Sequence, residues 1–455
     1  MLPLLLPILV GAFAQATPTP ANAPSQLPSP TATGTKSAAP SNRAPSGRVL
    51  RLDDAIQASL KAQPLVHEAR AQTAGAVGQY EQARSGLLPQ LNGSAAIQTG
   101  TAGGIGATGA IPITSSSHSA AGLTVSANQL IYDFNQTPDK FRSASRNVDS
   151  LRASERTTEL QVLLSVRQAF FTARADKALV FVAEETLRNE EKHVVQVRGF
   201  VAAGTQPEIA LATELTTLGN DRVSVITSQN NYEIAKAQLN QAIGIVGDTN
   251  YDVAEEGLAV IAGEEGPDDK LIEDALKARP EIVAYEKTRE ANALTVSALK
   301  GGFGPAFSAF GSAGVGDTSL GQGSNWYNTW AVGAQLIWPF FQGGLTAGQV
   351  HTAEANYDYV DAQLEAEKLA VRVQVQQAVL TVRAAKAQID AANEALLNAR
   401  EQLRLAEGRY QAGVGSIIEL GDSQVTATNA AAQVVQADFN LSTARAQLLS
   451  ALGKP

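Results

Sequence analysis

The sequence predicts a mixed α and β fold in which one unit, two strands followed by a long helical hairpin, is used twice. Three observations predict it: heptad stripes over long stretches, an internal repeat at a fixed offset, and Gly/Ser-rich segments that alternate with period two. In the second half, Val375, Val382, Ile389, Leu396, Leu403 and Tyr410 recur every seventh residue. Ala378, Ala385, Ala392, Ala399 and Ala406 follow three positions after the first five, so a large-apolar and an alanine stripe share one helix face. Beyond Gly413 and Gly415 the same spacing returns in Leu420, Ala427, Val434, Leu441 and Leu448, so the second helix must fold back on the first.

An offset of 209 positions, Val166 to Val375, places an equivalent hairpin earlier in the chain. Val166, Ala173, Val180, Leu187, Val194 and Val201 form its first stripe, and Leu211, Leu218, Val225, Tyr232 and Leu239 its second. Lys177 matches Lys386, Gly199 matches Gly408, Gly204 matches Gly413 and Gly244 matches Gly453.

The elements follow in chain order. Residues 1–16 carry an apolar run from Leu2 to Phe13 with small residues at Ala12, Ala14 and Ala16, the pattern of a secretory signal peptide, although no Lys or Arg precedes it. Residues 17–48, rich in Pro, Ala, Ser and Thr, read as a disordered tether. The first repeat spans 49–247, an acidic linker or equatorial element 248–270, and the second repeat 271–455. Each repeat opens with helix and then proline: Ser59-Leu60-Lys61-Ala62-Gln63-Pro64 mirrors Ala275-Leu276-Lys277-Ala278-Arg279-Pro280. At Pro89 and Pro305 the chain should become extended. Leu123, Val125 and Ala127 alternate with polar neighbours, and Leu130, Tyr132 and Phe134 then change parity, which predicts a bulge. Trp330, Val332, Ala334, Leu336, Trp338 and Phe340 alternate in the other repeat. Loops are expected at about 100–119 and 315–325, and the acidic run at 255–269 is expected to be solvated.

All three tryptophans, Trp326, Trp330 and Trp338, lie in the last strand region. They fit either the aromatic girdle of an outer-membrane barrel or the core of a small soluble sheet. No apolar run downstream of the N-terminus approaches the roughly 18 residues of a membrane-spanning helix, so any span must be made of strands. Four strands do not close a barrel, because the smallest membrane barrels need about eight, so closure requires further copies of the chain.

Composition excludes several functions. A net charge of -9 provides no basic stripe for nucleic acid. No cysteine is present, which removes thiol nucleophiles, disulfides, Cys-based zinc sites and lipid attachment through an N-terminal cysteine. His67, His118, His193 and His351 are scattered, and no zinc-helix or phosphate-loop motif occurs. No catalytic residue, metal ligand or cofactor is assigned, and any energy must come from a partner.

In the order of its motifs, duplicated, the chain resembles the TolC-like outer-membrane efflux protein family. The resemblance runs from Leu52 to Gly453. It rests on the helix-Pro openings, Leu87-Leu88-Pro89, the passage Trp338-Pro339-Phe340-Phe341-Gln342-Gly343-Gly344, the turn Gly408-Arg409-Tyr410-Gln411-Ala412-Gly413 and the closing Leu448-Leu449-Ser450-Ala451-Leu452-Gly453. It implies a homotrimer with a twelve-stranded outer-membrane β-barrel continuous with a periplasmic α-helical barrel, the passive exit duct of a tripartite efflux or type I secretion system. It implies, as partners, a periplasmic adaptor, an inner-membrane transporter of RND or ABC type and outer-membrane lipid, with a large periplasmic portion.

Site residues follow from the same resemblance. Glu419 and Asp422, one turn apart after the Gly413–Gly415 turn, match an acidic periplasmic aperture, beside the plainer reading of solvated surface acid. Tyr410 matches a position that helps to close it, whereas Gly415 stands where some members have Arg. The tips at Gly199 and Gly204 and at Gly408, Gly413 and Gly415 are where the family's adaptor docks. A non-channel periplasmic coiled-coil scaffold is the rival reading.

Overall fold

A computed structural model describes residues 47–102, 116–247, 249–317 and 326–455. The signal-peptide expectation, nearly all of the tether and most of the two loop expectations lie outside the described residues. The chain runs β1 (Val49–Leu50), α1 (Leu52–Ala62), α2 (Pro64–Ser85), β2 (Gln90–Ala102), β3 (Ser116–Tyr132), α3 (Gln136–Ala202), α4 (Glu208–Ile243) and β4 (Asp252–Val253). It continues through α5 (Asp268–Ala278), α6 (Pro280–Gly301), β5 (Ala306–Asp317), β6 (Trp326–Ile337), α7 (Leu345–Gln411) and α8 (Ile417–Ala451).

The duplication is visible element by element. The openings α1 and α5 have 11 residues each, α2 and α6 have 22, and α3 and α7 have 67. At 1.5 Å per residue each of the 67-residue helices is about 100 Å long. The heptads had marked only the half of each long helix nearest the hairpin turn. Pro64 and Pro280 do not end helical structure. Each sits in the first turn of a new helix, after a residue held extended (Gln63 at φ -70, ψ 121; Arg279 at φ -69, ψ 123), because a first-turn proline loses no needed N–H.

The stripes are buried as the heptads require. Val375, Val382, Ala378, Ala385, Leu420 and Leu448 lie in the interior, as do Val166, Ala173, Val194 and Leu239. Two main cores result. One joins Leu271, Ala275 and Ile282 to the middle of α7 and the end of α8. Its counterpart joins Leu52, Ala55 and Val66 to α3 and α4, centred on Phe170 and Phe171, whose rings meet edge-on at 5.7 Å. The short helices thus brace the middle of each long helix, where its shorter partner ends, and do not reach the hairpin turn.

Gly244 and Gly453, matched by the repeat, end α4 and follow α8 at φ +83 and +66. A Cβ on Gly244 would lie 2.7 Å from the Gln63 Cα, and one on Gly453 3.2 Å from the Arg279 Cα. Both glycines let a hairpin end close on the break between two short helices. Gly244→Ala is expected to cost about 1–3 kcal/mol, from left-handed backbone strain and that contact together, read as a lower thermal midpoint.

Strands β2, β3, β5 and β6 form one antiparallel sheet in that order. The expected bulge is present but lies later than the parity change: the β3–β5 register is regular through Leu130, which pairs with Ser308, and shifts between Leu130 and Tyr132. The loop bounds need correction, since β2 runs to Ala102, β3 starts at Ser116 and β5 runs to Asp317. Ladder pairing carries each strand past the first glycine or serine, which period alone does not locate.

In the acidic inter-repeat segment one residue departs from the solvated expectation. The segment's Asp252 and Val253 pair in parallel with Val49 and Leu50, and Glu256 accepts the Leu52 N–H at the start of α1 (2.6 Å). Glu264, expected in solvent, is 2 % exposed. Helix α5 begins at Asp268.

Candidate functional site

Register assigns every strand residue to a face, since directly paired residues point the same way. One face carries Leu91, Ala95 and Ile97 of β2, Leu123 and Val125 of β3, Phe307 and Val315 of β5, and Trp330, Val332 and Leu336 of β6. The other is mainly polar, with Asn92, Ser94, Thr124, Ser126, Ser308, Ser312, Thr329 and Gln335, and also carries Leu130, Phe310, Tyr327 and Ile337. In a single chain the apolar face is open: Ile97 is 84 % exposed, and Trp330 and Val332 are each 80 % exposed. Among the described residues β2 and β6 each pair on one side only. A sheet with one apolar and one polar face and two free edges suits lipid outside, water inside and further copies at its sides.

Trp326 opens β6 opposite Asp317, and Trp338 follows its last residue. The Trp338 Nε1 donates to the Phe303 carbonyl (3.1 Å), and its ring lies 4.7 Å from that of Phe340. Twelve steps along the chain separate the two tryptophans, about 40 Å along the strand and about 30 Å along the normal at a tilt near 40°, close to the thickness of a hydrocarbon core.

At the far end of the molecule the two hairpin turns share one geometry. The Thr205 N–H donates to the Phe200 carbonyl and the Val414 N–H to the Arg409 carbonyl, both at 3.0 Å. Gly204 and Gly413 take φ +71 and +75. Gly199 and Gly408 lie inside α3 and α7, where their carbonyls accept from the N–H groups of Ala203 and Ala412. The Gly415 N–H donates to Arg409 (2.9 Å), so the second turn folds tightly back on the end of α7.

The turns also meet each other. Val197 and Ala210 of the first repeat cluster with Ala406, Tyr410 and Leu420 of the second, and the Phe200 and Tyr410 rings stand edge-on at 5.8 Å. Tyr410 is buried in this contact with its hydroxyl unpartnered. Burial, then the charge of Glu214, pushes that hydroxyl above the usual phenol range. Glu419 is half-buried and accepts from the Arg409 Nη1 at 2.9 Å, whereas Asp422 is exposed and makes no ion pair among the described residues. The two carboxylates therefore differ: one is half-neutralised by a neighbour and the other is open to the solvent.

Sequence reasoning missed two things here. Arg409, part of the turn motif, is the partner of Glu419. A buried acid–imidazole cluster of Glu190, His193 and Glu214 sits deeper in the first hairpin. Its signal was available, because Glu190 occupies the alanine-stripe position where the second repeat has Ala399.

Comparisons with known proteins agree with this geometry. The family described as outer membrane efflux protein matches residues 55–245 and 271–454. A probable efflux pump outer membrane protein, TtgC of Pseudomonas putida, is 25 % identical over 383 residues, covering 82 % of this chain and 77 % of the relative. The outer membrane protein TolC of Escherichia coli is 24 % identical over 417 residues, covering 86 % and 79 %. The solved structure of the outer membrane protein VceC of Vibrio cholerae superposes with a TM-score of 0.77 at 19 % identity, covering 89 % of this chain and 96 % of that one.

Proposed function

This chain belongs to the outer membrane efflux protein family, and from that membership we propose that three copies form one passive exit duct. Each copy adds four strands to a twelve-stranded outer-membrane barrel and its helices to a periplasmic tube. The observation that carries this reading is the four-stranded sheet, apolar on one face, polar on the other and unpaired at both described edges. Outer-membrane lipid covers the apolar face, with Trp326 and Trp338 near the two interfaces. The duct performs no catalysis. An inner-membrane transporter supplies the energy, and a periplasmic adaptor docks at the tips around Gly199, Gly204, Gly408, Gly413 and Gly415.

The molar mass of protein extracted from isolated outer membranes tests the assembly. A trimer recovered only with detergent is the expected result; a water-soluble monomer or dimer would leave the heptads as a periplasmic scaffold.

At the tube's periplasmic end, Glu419, Asp422 and Tyr410 form the aperture. Tyr410 holds the two hairpins together, and the carboxylates set a field, repeated about the axis, that draws cations and resists anions. Asp422 has no described cationic neighbour, so it dominates the field. Asp422→Asn is expected to weaken block by multivalent cations more than Glu419→Gln does, and the double change most of all. Planar-bilayer conductance is the readout, and equal block in all variants would remove these residues from the aperture.

A further inference from the structure

In the first hairpin, where α3 faces α4 between the bracing helices and the tip, the heptad seam is broken by charge. Glu190 and His193 come from α3 and Glu214 from α4, all three are buried, and their potential ligand atoms lie within 4.8 Å of one another. Glu190 is 2 % exposed, and its Oε1 has no hydrogen-bond partner. The His193 Nδ1 faces Glu190 at 3.9 Å, and its Nε2 faces Glu407 of α7 at 3.6 Å. Asp221, also on α4, stands nearby with its Oδ2 unpartnered. Among the described ion pairs, no lysine or arginine meets Glu190, Glu214 or Asp221. Acid therefore outweighs base in a place that excludes water, and buried carboxylates demand a counter-charge.

We propose that Glu190, His193 and Glu214 form a binding site for a divalent transition-metal ion, with Zn2+ as the reference case, that ties α3 to α4. Imidazole nitrogen beside carboxylate oxygen selects borderline metals such as zinc over magnesium or calcium, which take oxygen alone. Bonds of about 2.0–2.1 Å in a tetrahedron place ligands about 3.3 Å apart, so small rotamer shifts close the site. The His193 Nδ1 is the ligand, and its Nε2–H faces the Glu407 carboxylate, the carboxylate–histidine–metal arrangement that fixes the tautomer. Tying α3 to α4 here opposes splaying of the first hairpin above its tip.

The second repeat supplies an internal control. At the equivalent positions it has Ala399, Gln402 and Ser423, and the Gln402 Nε2 lies 3.5 Å from the Ser423 Oγ. The same hairpin geometry is thus built with uncharged residues, so the acid–imidazole set is not needed for packing.

The test uses untagged, detergent-purified full-length protein titrated with ZnCl2 by calorimetry. The expected result is one Zn2+ per chain, undisturbed by millimolar Mg2+. The triple change Glu190→Ala, His193→Gln, Glu214→Ser copies the second repeat and is expected to keep the assembly and thermal midpoint of metal-free protein. It should lose at least about tenfold in zinc affinity; Glu190→Gln, which retains the shape of the side chain, should also weaken binding about tenfold or more. Absence of zinc binding by the wild type at micromolar concentration, or equal binding by the triple variant, would overturn the proposal and leave the cluster as a proton-holding seam.

Discussion

Glu264→Ala is expected to destabilise the folded chain by about 3–5 kcal/mol, the cost of stripping a buried ion-pair cluster of one partner. The Glu264 carboxylate is reached by the Arg445 Nη2 (3.0 Å) and Nε (3.3 Å) of α8, the Lys386 Nζ of α7 (2.6 Å) and the Ile261 N–H (3.0 Å). Arg445 also donates to the Leu258 carbonyl at 3.0 Å, so one cluster pins the inter-repeat segment to both helices of the second hairpin. Removing the carboxylate leaves a guanidinium, exposed by only 13 % in its side chain, without its main partner. The measurement is the thermal midpoint in detergent at neutral pH, and an unchanged midpoint would mean that the segment is held by other contacts.

The same carboxylate sets a pH dependence. Burial alone would raise Glu264, but the bonds from Arg445, Lys386 and the Ile261 N–H more than offset it and hold the carboxyl below its usual range. Its stabilising contribution is therefore complete above the unfolded carboxylate range near pH 4.5, and is lost as pH falls through the depressed folded value. Wild type and variant should converge in acid. Glu190 has the opposite sign: its raised folded value favours the fold below about pH 4.5, and that contribution fades as pH rises towards about 9.

The second large effect concerns the sheet. Val332→Arg places a charge in the middle of the apolar face, where an arginine at the midplane of a barrel costs about 2–4 kcal/mol. The yield of trimer in isolated outer membranes should fall severalfold. Ser126→Arg, on the polar face, should assemble normally and shift ion selectivity towards anions. A reversed outcome, with Val332→Arg tolerated and Ser126→Arg lost, would turn the barrel inside out. Equal tolerance would show that neither face meets lipid.

Much of the frame was legible because its rules are local or periodic. The heptads placed Val375, Val382 and Leu420 in the interior, the 209-residue offset paired the 67-residue helices end to end, and the parity change before Leu130 foretold a bulge that lies just after it. At the tips the left-handed turns at Gly204 and Gly413 were marked by residue type. The pairing of Arg409 with Glu419 and the burial of Tyr410 against Phe200 were not, because both depend on how chain segments beyond one helix turn come together.

What the amino-acid sequence determined by itself was the repeated architecture: periods of seven and two dictate which face of each helix or strand is apolar, and the hydrophobic effect then fixes which face is covered. Only the tertiary structure decided the fate of the charges. Glu264 and Glu265 are neighbours in one acidic run, yet Glu264 is buried and Glu265 exposed, because Arg445, 181 residues away, meets only the former. Glu190 lies among several acidic residues of α3, and its burial against Glu214 follows from the hairpin alone. A charge's free energy depends on the solvent it loses and the partners it gains, and both are set by distant segments that no local pattern records.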